Sequence, residues 1–157
     1  MVPMITAVDC AYRVPRAVDL DAIQGLRHAV LDPARSEDVD LALSADDFDP
    51  TAIHMAAFVG ERAISAVRLD RIGDGLYSVR KMATAEEYRG LGIGTKVLVR
   101  AEVAAYLEGA REYKVGARFE AIPFFQDLGY QLTGDIESHA PGIVSHVMTK
   151  RGLTRAG

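Results

Sequence analysis

The chain has 157 residues, a length that fits one domain with a sizeable hydrophobic core. Its net charge of -4, with acidic and basic residues mixed along the sequence, lacks the basic footprint of a nucleic-acid-binding protein. Hydrophobic residues make up 49% of the sequence, which excludes a disordered chain, and no apolar run reaches the length of a membrane span. The single cysteine, Cys10, cannot form an internal disulfide, and no Cys/His cluster has metal-ligand spacing. The N-terminal residues lack the pattern of a signal peptide. We therefore expect one cytoplasmic domain over residues 1-157, with no metal and with neither nucleic acid nor membrane as a partner.

The first fifty residues contain a strand, a helix and an acidic segment. Loose alternation predicts a strand from Ile5 to Val14. Apolar residues then recur at helical spacing from Asp19 to Leu31, with Asp19 as the N-cap. The residues from Ala34 to Pro50 are acidic and poor in periodicity. We interpret them as a solvated loop with a short helix from Val39 to Leu43. The alternative is an acidic lid that attracts a cationic amine.

Three strand patterns follow and predict an antiparallel meander. They run from Ile53 to Val59, from Ala63 to Leu69 and from Leu76 to Met82. Tight turns are expected at Gly60-Glu61 and at Gly73-Asp74-Gly75, because glycine with a polar neighbour favours a hairpin. The last strand of the meander is followed by a glycine-rich stretch.

This stretch runs from Glu87 to Thr95 with the sequence E-Y-R-G-L-G-I-G-T, and a helical pattern follows it from Thr95 to Leu107. Glycine lets the backbone approach a ligand closely, and the first turn of a helix has N–H groups without intrahelical partners. Those donors and the helix dipole favour an anion. The spacing matches neither the P-loop nor the dinucleotide fingerprint G-x-G-x-x-G, but it matches R-x-x-G-x-G with Arg89, Gly92 and Gly94. The pattern predicts a phosphate-binding loop.

The remaining residues continue the alternation of strands and helices. A short strand from Tyr113 to Ala117 is expected to lie parallel to the strand before the loop, because a helix crosses between them. The other predicted elements are a helix from Ala121 to Leu128, a strand that begins at Tyr130 to Thr133, a polar loop from Gly134 to Gly142, a last strand from Ile143 to Thr149, and a frayed tail from Lys150 onward.

Two motifs together resemble those of the GNAT superfamily, the acyl-CoA-dependent N-acyltransferases. The R-x-x-G-x-G turn resembles the pyrophosphate loop of that family. The later helix with Phe124-Phe125, followed by Gly129-Tyr130, resembles its Phe-Tyr pair and Gly-aromatic step. The resemblance covers most of the chain and extends to a small bacterial subgroup with poorly defined substrates. It implies an α/β fold in which a mixed sheet has two splayed central parallel strands and is flanked by helices.

The resemblance also implies where acetyl-CoA binds. The strand before the loop offers backbone groups to the pantetheine arm, and the amides of the loop hold the pyrophosphate. The implied cofactor-binding residues are Met82, Ala83, Thr84, Arg89, Gly90, Leu91, Gly92, Ile93, Gly94, Thr95, Phe124 and Phe125.

The implied reaction is direct transfer, in which an amine attacks the thioester carbonyl while both reactants are held together. A backbone N–H of Met82 or Ala83 would polarise the carbonyl oxygen. The amine must lose a proton to a base, for which the sequence offers five candidates. Tyr77 lies on the strand before the loop but also fits a half-exposed strand surface. His146 shares a strand face with Val144 and Met148 and fits a buried histidine equally well. Further candidates are Tyr88, His54 and His139.

Phe125 is a departure from the family pattern. Many members have a tyrosine there that protonates the leaving thiolate, so no general acid can be carried over. The resemblance implies an N-acetyltransferase acting on a primary amine of a small molecule or peptide. The alternative is a catalytically weak or inactive protein that binds acyl-CoA as a sensor or interaction module. Acceptor pockets of this fold would involve Leu26 to Phe48 and Gly134 to Pro141, neither of which shows a specificity pattern. Family members are often dimers, so a homodimer is a further expectation.

Overall fold

A computed structural model describes residues 9–30 and 49–152 of the chain. Within these ranges, seven strands form one sheet and three α-helices pack on it. The strands are β1 (Ala11–Arg13), β2 (Ile53–Val59), β3 (Arg62–Gly73), β4 (Leu76–Thr84), β5 (Glu112–Ala117), β6 (Gln131–Ala140) and β7 (Ile143–Arg151), and the helices are α1 (Leu20–Val30), α2 (Ile93–Leu107) and α3 (Ile122–Asp127). Single turns of 3-10 helix precede α1, the glycine loop and α3.

The sheet is mixed, with the strand order β1-β2-β3-β4-β5-β7-β6. The predicted antiparallel meander β2-β3-β4 is confirmed, and β2 has the predicted bounds. Strands β3 and β4 are longer than predicted and end at Gly73 and Thr84. β4 and β5 form the parallel pair, as predicted from the helix that connects them.

The parallel pair separates along its length. Paired residues run from Leu76 with Glu112 to Val79 with Val115. Beyond Val79, β4 continues to Thr84, whereas β5 ends at Ala117. The two central strands therefore splay apart at their carboxyl ends, as the family resemblance implied.

The sheet divides the hydrophobic core into two clusters. Helices α2 and α3 pack on one face, the α2 face, and α1 packs on the other, the α1 face. The cluster on the α1 face comprises Ile23, Leu26, Ala56, Phe58, Ala63, Ala66, Ala83 and Ala85. None of the helices within residues 9–30 and 49–152 is long and apolar enough to cross a membrane.

The predicted polar loop from Gly134 to Gly142 is wrong, because these residues form most of β6 and its turn into β7. Ile136 pairs with His146 and Glu137 pairs with Ser145. β6 is an edge strand of the sheet and is exposed along most of its length, so no apolar alternation in the sequence reveals it. Backbone pairing with β7 is sufficient to form the strand.

The predicted frayed tail is also wrong at its first residues. β7 continues through Lys150 to Arg151, and the Lys150 side chain is buried. Its ammonium lies 2.8 Å from a carboxylate oxygen of Glu102, which is completely buried on α2. A buried partner on α2 therefore holds the last residues of β7 in place.

Asp19 does not cap α1 as predicted. It ends the 3-10 turn before α1, and its carboxylate accepts hydrogen bonds from the Arg13 guanidinium at 2.6 and 3.1 Å. The backbone N–H of Arg16 donates to the same carboxylate at 2.7 Å. The Arg13 bond and then the Arg16 bond hold the pKa of Asp19 far below its usual range. The carboxylate thus ties the end of β1 to the start of the helix.

Other predictions for the N-terminal region fall partly outside the described residues. Of the predicted first strand, the structure describes only residues from 9 onward, where β1 occupies Ala11–Arg13. The predicted helix from Val39 to Leu43 and the acidic segment up to Phe48 lie outside the described residues.

Folding stability is expected to decrease as the pH falls below about 6.5, the ordinary pKa of histidine, through His54. His54 Nε2 donates a hydrogen bond to the Asp49 carbonyl at 3.0 Å, but burial and the nearby Arg27 and Arg68 lower the pKa of the ring. The unfolded chain therefore binds a proton that the folded chain does not, which limits the effect to about 1.4 kcal/mol per pH unit, less for a partly solvated ring. Urea unfolding at pH 7.5 and 5.5 measures it. His54→Gln keeps a hydrogen-bond donor but does not titrate, so the free energies of unfolding at the two pH values should become more similar. An unchanged difference between them would contradict the assignment of the effect to His54.

Candidate active site

A cleft of about 600 Å³ lies where β4 and β5 separate. Every residue of the predicted cofactor set lines it except Leu91, whose side chain is exposed. The structure thus brings the carboxyl end of β4, the glycine loop and α3 together at one cleft. The lining residues that the sequence analysis did not assign to the cofactor are Val30, Tyr88, Glu120 and Ala121. Tyr88 lies within the glycine-rich stretch, so the sequence could have indicated that it lines the cleft.

The glycine loop has the backbone conformation that its sequence requires. Gly90 and Gly92 have φ angles of 77° and 79°, which side-chain-bearing residues rarely adopt. Gly92 precedes α2, which begins at Ile93, two residues earlier than predicted. The first helical hydrogen bond runs from the Lys96 N–H to the Gly92 carbonyl at 3.1 Å. The N–H groups of the first turn therefore precede the intrahelical bonds and lie at the cleft, available to an anion.

Gly94 allows α2 to approach β4 closely. A Cβ atom at this position would lie 3.0 Å from Thr84 Oγ1, 3.5 Å from Met82 Cε and 3.7 Å from the Phe124 ring. Thr84 Oγ1 is itself fixed by a 2.8 Å hydrogen bond with Ser65 Oγ. The absence of a side chain at Gly94 therefore keeps open the narrow region between β4, α2 and α3.

Arg89 links the loop to the strand that precedes it. Its Nε donates a hydrogen bond to the Thr84 carbonyl at 3.2 Å, and its exposed side chain borders the cleft. The bond supports the loop, and the charge of the guanidinium increases the positive potential where the helix dipole already favours an anion.

β4 contains a bulge beside the cleft. The register with β3 passes from the Arg68–Arg80 pair directly to the Ala66–Ala83 pair, so two residues of β4 oppose one residue of β3. Lys81, the first of the two, has a φ of 51°, the only positive φ of a non-glycine residue in the described part of the chain. The bulge redirects the backbone at Lys81 and Met82, just beyond Val79, the last residue of β4 that pairs with β5.

On the β5 side of the splay, the α1 face of the sheet carries polar side chains. Tyr113, Val115 and Ala117 of β5 belong to the core of the α2 face, so Lys114 and Gly116 face the opposite side. Lys114 Nζ lies 3.1 Å from Glu137 Oε1, and Gly116 is exposed. His139 Nε2 and Ser145 Oγ are hydrogen-bonded at 2.9 Å, and a Cβ atom at Gly116 would lie 3.2 Å from Ser145 Cβ. The predicted loop therefore contributes its polar residues to the sheet as part of β6.

On the β4 side of the splay, the same face of the sheet carries arginine and aspartate side chains. Arg68, which is nearly buried, forms a two-point ion pair with Asp70 in which both N–O distances are 2.9 Å. Arg80 Nε lies 3.5 Å from Asp70 as well. The splay is therefore bordered by charged groups on the α1 face, whereas its α2 face is mainly apolar.

The model of the Acetyltransferase (GNAT) domain matches residues 50–132, more than half of the chain. This chain belongs to the GNAT family. The matched segment contains β4, the glycine loop, α2 and α3, all of which contribute to the cleft. As a GNAT protein, it is an acyltransferase.

Two curated relatives and one solved structure illustrate the similarity. The N-acetyltransferase YjcF of Bacillus subtilis (strain 168) is 25% identical over 116 residues, which cover 74% of this chain and 82% of YjcF. The blasticidin-S acetyltransferase of Streptomyces morookaense is 39% identical over 64 residues, which cover 40% of this chain and 47% of that protein. The structure of the PaiA N-acetyltransferase from Thermoplasma acidophilum, solved in complex with coenzyme A, has a TM-score of 0.71 at 15% identity, over 91% of this chain and 99% of that chain. The last comparison shows the same fold.

Of the five base candidates of this GNAT protein, four do not line the cleft, namely Tyr77, His146, His54 and His139. Tyr77 is 4% exposed and lies in the core of the α2 face, so the expected half-exposed surface is wrong. The His146 ring is half-buried and makes an edge contact with Phe119, at 6.4 Å between the ring centroids. Tyr88, in contrast, brings a phenol to the lining of the cleft.

Phe125 borders the cleft from α3 and is nearly buried. It makes edge contacts with Phe124 and Tyr130, with centroid distances of 5.1 and 5.4 Å. The aromatic packing fixes the ring, but the ring has no proton to donate to a leaving group. The GNAT cleft therefore has an apolar wall at the position where many family members have a tyrosine.

Proposed function

We propose that this protein transfers an acetyl group from acetyl-CoA to a primary amine of a small molecule or peptide by direct transfer. The observation that carries the proposal is the cleft in which the free edge of β4 meets the glycine loop and the first turn of α2. The name of YjcF, an N-acetyltransferase, supports nitrogen as the acceptor atom. The complex of the PaiA N-acetyltransferase with coenzyme A supports the donor.

The cleft fits the two parts of acetyl-CoA. Beyond Val79, no strand of the described residues pairs with β4 on the β5 side, so its backbone can pair with the amide groups of a pantetheine arm. The amides from Gly90 to Thr95 suit a pyrophosphate, because backbone donors and a helix N-terminus converge there. Gly94 leaves the gap that an extended chain needs. Phe124 and Phe125 supply an apolar wall along the same cleft.

When bound, acetyl-CoA supplies the thioester that an amine attacks. The chain holds the carbonyl at the splay, where the Met82 N–H is the proposed donor to its oxygen. Fixed placement of both reactants removes much of the entropic barrier. The amine approaches from the α1 face, where Gly116 leaves the sheet open and Glu137 offers a carboxylate to a cation. Tyr88, which lines the cleft, and the His139–Ser145 pair on the α1 face are the groups that we propose for proton removal.

Acetyl-CoA is expected to bind with a micromolar dissociation constant in isothermal titration calorimetry. A panel of primary amines that includes polyamines, amino sugars and peptide N-termini is then assayed for release of the coenzyme A thiol. Turnover of at least one amine, with mass spectrometry showing the added acetyl group, supports the proposal. Binding without turnover of any amine would favour the coenzyme-binding sensor instead. Absence of binding by the folded protein would overturn both.

A further inference from the structure

Arg27 is a buried cation that contacts the bulge of β4. It lies on α1 and is 1% exposed, which places it among the largest fully buried side chains in the described residues. Its Nε donates a hydrogen bond to the Lys81 carbonyl at 3.1 Å, across 54 positions of sequence. Burial of an ion costs several kcal/mol, so a core position of this kind would ordinarily favour an apolar residue. Its hydrogen bond to the Lys81 carbonyl, in the bulge of β4, suggests a role for the positive charge.

The Lys81 carbonyl belongs to the same peptide group as the Met82 N–H. A trans peptide holds the carbonyl and the N–H on opposite sides of one plane, and no peptide bond in the described residues is cis. A donor that fixes the carbonyl therefore fixes the direction of the N–H. Lys81 has a φ of 51°, an unfavourable conformation for a residue with a side chain, so it persists only if neighbours hold it. Arg27 is one such neighbour.

The charge of Arg27 also acts through this peptide. A hydrogen bond from an ionised donor is stronger than one from a neutral donor, and a hydrogen-bonded group in a low-dielectric interior is polarised. Electron density drawn toward the Lys81 oxygen leaves the Met82 N–H more positive. Such an N–H stabilises negative charge on a facing oxygen more strongly than an unpolarised amide does.

We propose that Arg27 is a positioning residue that orients and polarises the Lys81–Met82 peptide, so that the Met82 N–H stabilises the oxyanion formed from the thioester carbonyl. The inference rests on the proposed function, since it assumes that acetyl-CoA places its carbonyl at Met82. In the transfer step the amine nitrogen forms a bond to the carbonyl carbon, the carbonyl oxygen takes up the electron pair, and collapse expels the coenzyme A thiolate. The amine proton leaves to a base or water. Arg27 takes no proton and touches no reacting atom.

Infrared spectroscopy of bound acetyl-CoA labelled with ¹³C at the carbonyl tests this role directly. In the wild type the carbonyl stretch should lie at lower frequency than in free acetyl-CoA, because the Met82 N–H polarises the bond. In Arg27→Met the shift should be largely lost, while the affinity for coenzyme A changes by less than about threefold. With an amine from the turnover screen, kcat should fall about tenfold with little change in the KM for acetyl-CoA. That fall is part of the roughly 10²–10³-fold cost of removing an oxyanion donor outright.

Arg111→Met is the matched control. Arg111 also donates to backbone carbonyls, those of Tyr106 and Ala110, but lies between α2 and β5, and its loss should leave the carbonyl stretch unchanged. If Arg27→Met does not fold, Arg27→Lys keeps a buried cation without the guanidinium geometry and should show a partial loss of the shift. If a folded Arg27 variant showed the wild-type shift of the carbonyl stretch and the wild-type kcat, the proposed role of Arg27 would be overturned and the proposed function would stand. Failure of the wild type to bind acetyl-CoA would overturn the proposed function instead.

Discussion

Replacement of both Gly92 and Gly94 by glutamate is expected to lower the affinity for acetyl-CoA at least a hundredfold. Two carboxylates would lie where the pyrophosphate is proposed to bind. Repulsion between unit charges a few ångströms apart near a protein surface is about 2–4 kcal/mol, and each 1.4 kcal/mol is a tenfold change in affinity. Sterics act in the same direction, because a side chain at Gly94 would press against Thr84 Oγ1 at 3.0 Å. Calorimetric titration with acetyl-CoA measures the loss.

The control must add the same charge at glycines outside the cleft. Gly25 on α1 and Gly73 at the end of β3 serve this purpose, since neither has a positive φ and a Cβ atom would meet little at either position. The double variant Gly25→Glu, Gly73→Glu should bind acetyl-CoA like the wild type. Circular dichroism would confirm that both double variants fold, because Gly92 has a φ of 79° that a glutamate adopts with strain. Retained binding in the folded Gly92, Gly94 variant would rule out the glycine loop as the phosphate site.

Substitution of Lys150 by methionine is expected to destabilise the fold by about 3–5 kcal/mol, the usual cost of removing one partner from a buried ion pair. Lys150 is 5% exposed and Glu102 is 0% exposed, and the two are 2.8 Å apart. The Tyr130 hydroxyl donates to the other oxygen of Glu102 at 2.6 Å, and the Tyr113 hydroxyl donates to the Glu102 backbone carbonyl at 2.8 Å. Burial and the Glu102 charge raise the pKa of Tyr130 far above its usual value, so its phenol stays a donor. Without Lys150, the Glu102 carboxylate would be buried without its cation.

Urea unfolding measured by fluorescence or circular dichroism tests the size of this effect. A domain of this size has a total stability of about 5–15 kcal/mol, so the variant should unfold at a much lower urea concentration. The double variant Glu102→Met, Lys150→Met removes both charges and should recover much of the loss. Arg71→Met, which removes an exposed ion pair with Asp74 at 3.5 Å, should change the stability by no more than about 1 kcal/mol. A similarly small effect for Lys150→Met would contradict the assignment of a buried pair.

The most reliable sequence signals were local ones. The meander was predictable because period-2 patterns and turn glycines lie next to one another in the sequence, and the bounds of β2 were correct. The glycine loop was predictable for the same reason: Gly90 and Gly92 adopt positive φ angles that few other residues tolerate. The parallel pairing of β4 with β5 followed from a single helix between them. These features depend on neighbours in the chain.

Edge strands and bulges are less visible in a sequence. β6 was predicted as a strand only up to Thr133 and as a loop from Gly134 onward, because exposure on an edge removes the apolar alternation and only its pairing with β7 reveals the strand. The bulge at Lys81 has no residue signature, since lysine rarely adopts a positive φ. It arises from the register between β3 and β4, which the sequence of either strand alone does not specify.

The sequence by itself therefore determined the order of the elements, the loop that suits a phosphate and the family. The tertiary structure alone decided which charged residues are buried. Arg27 and Glu102 fall on helices where charged residues are ordinarily solvated, and Lys150 was assigned to the tail. Each contacts a partner far away in sequence: Lys81 is 54 positions from Arg27, and Glu102 is 48 positions from Lys150. A buried charge is stable only with a partner, and such a partner is identified only once the chain has folded.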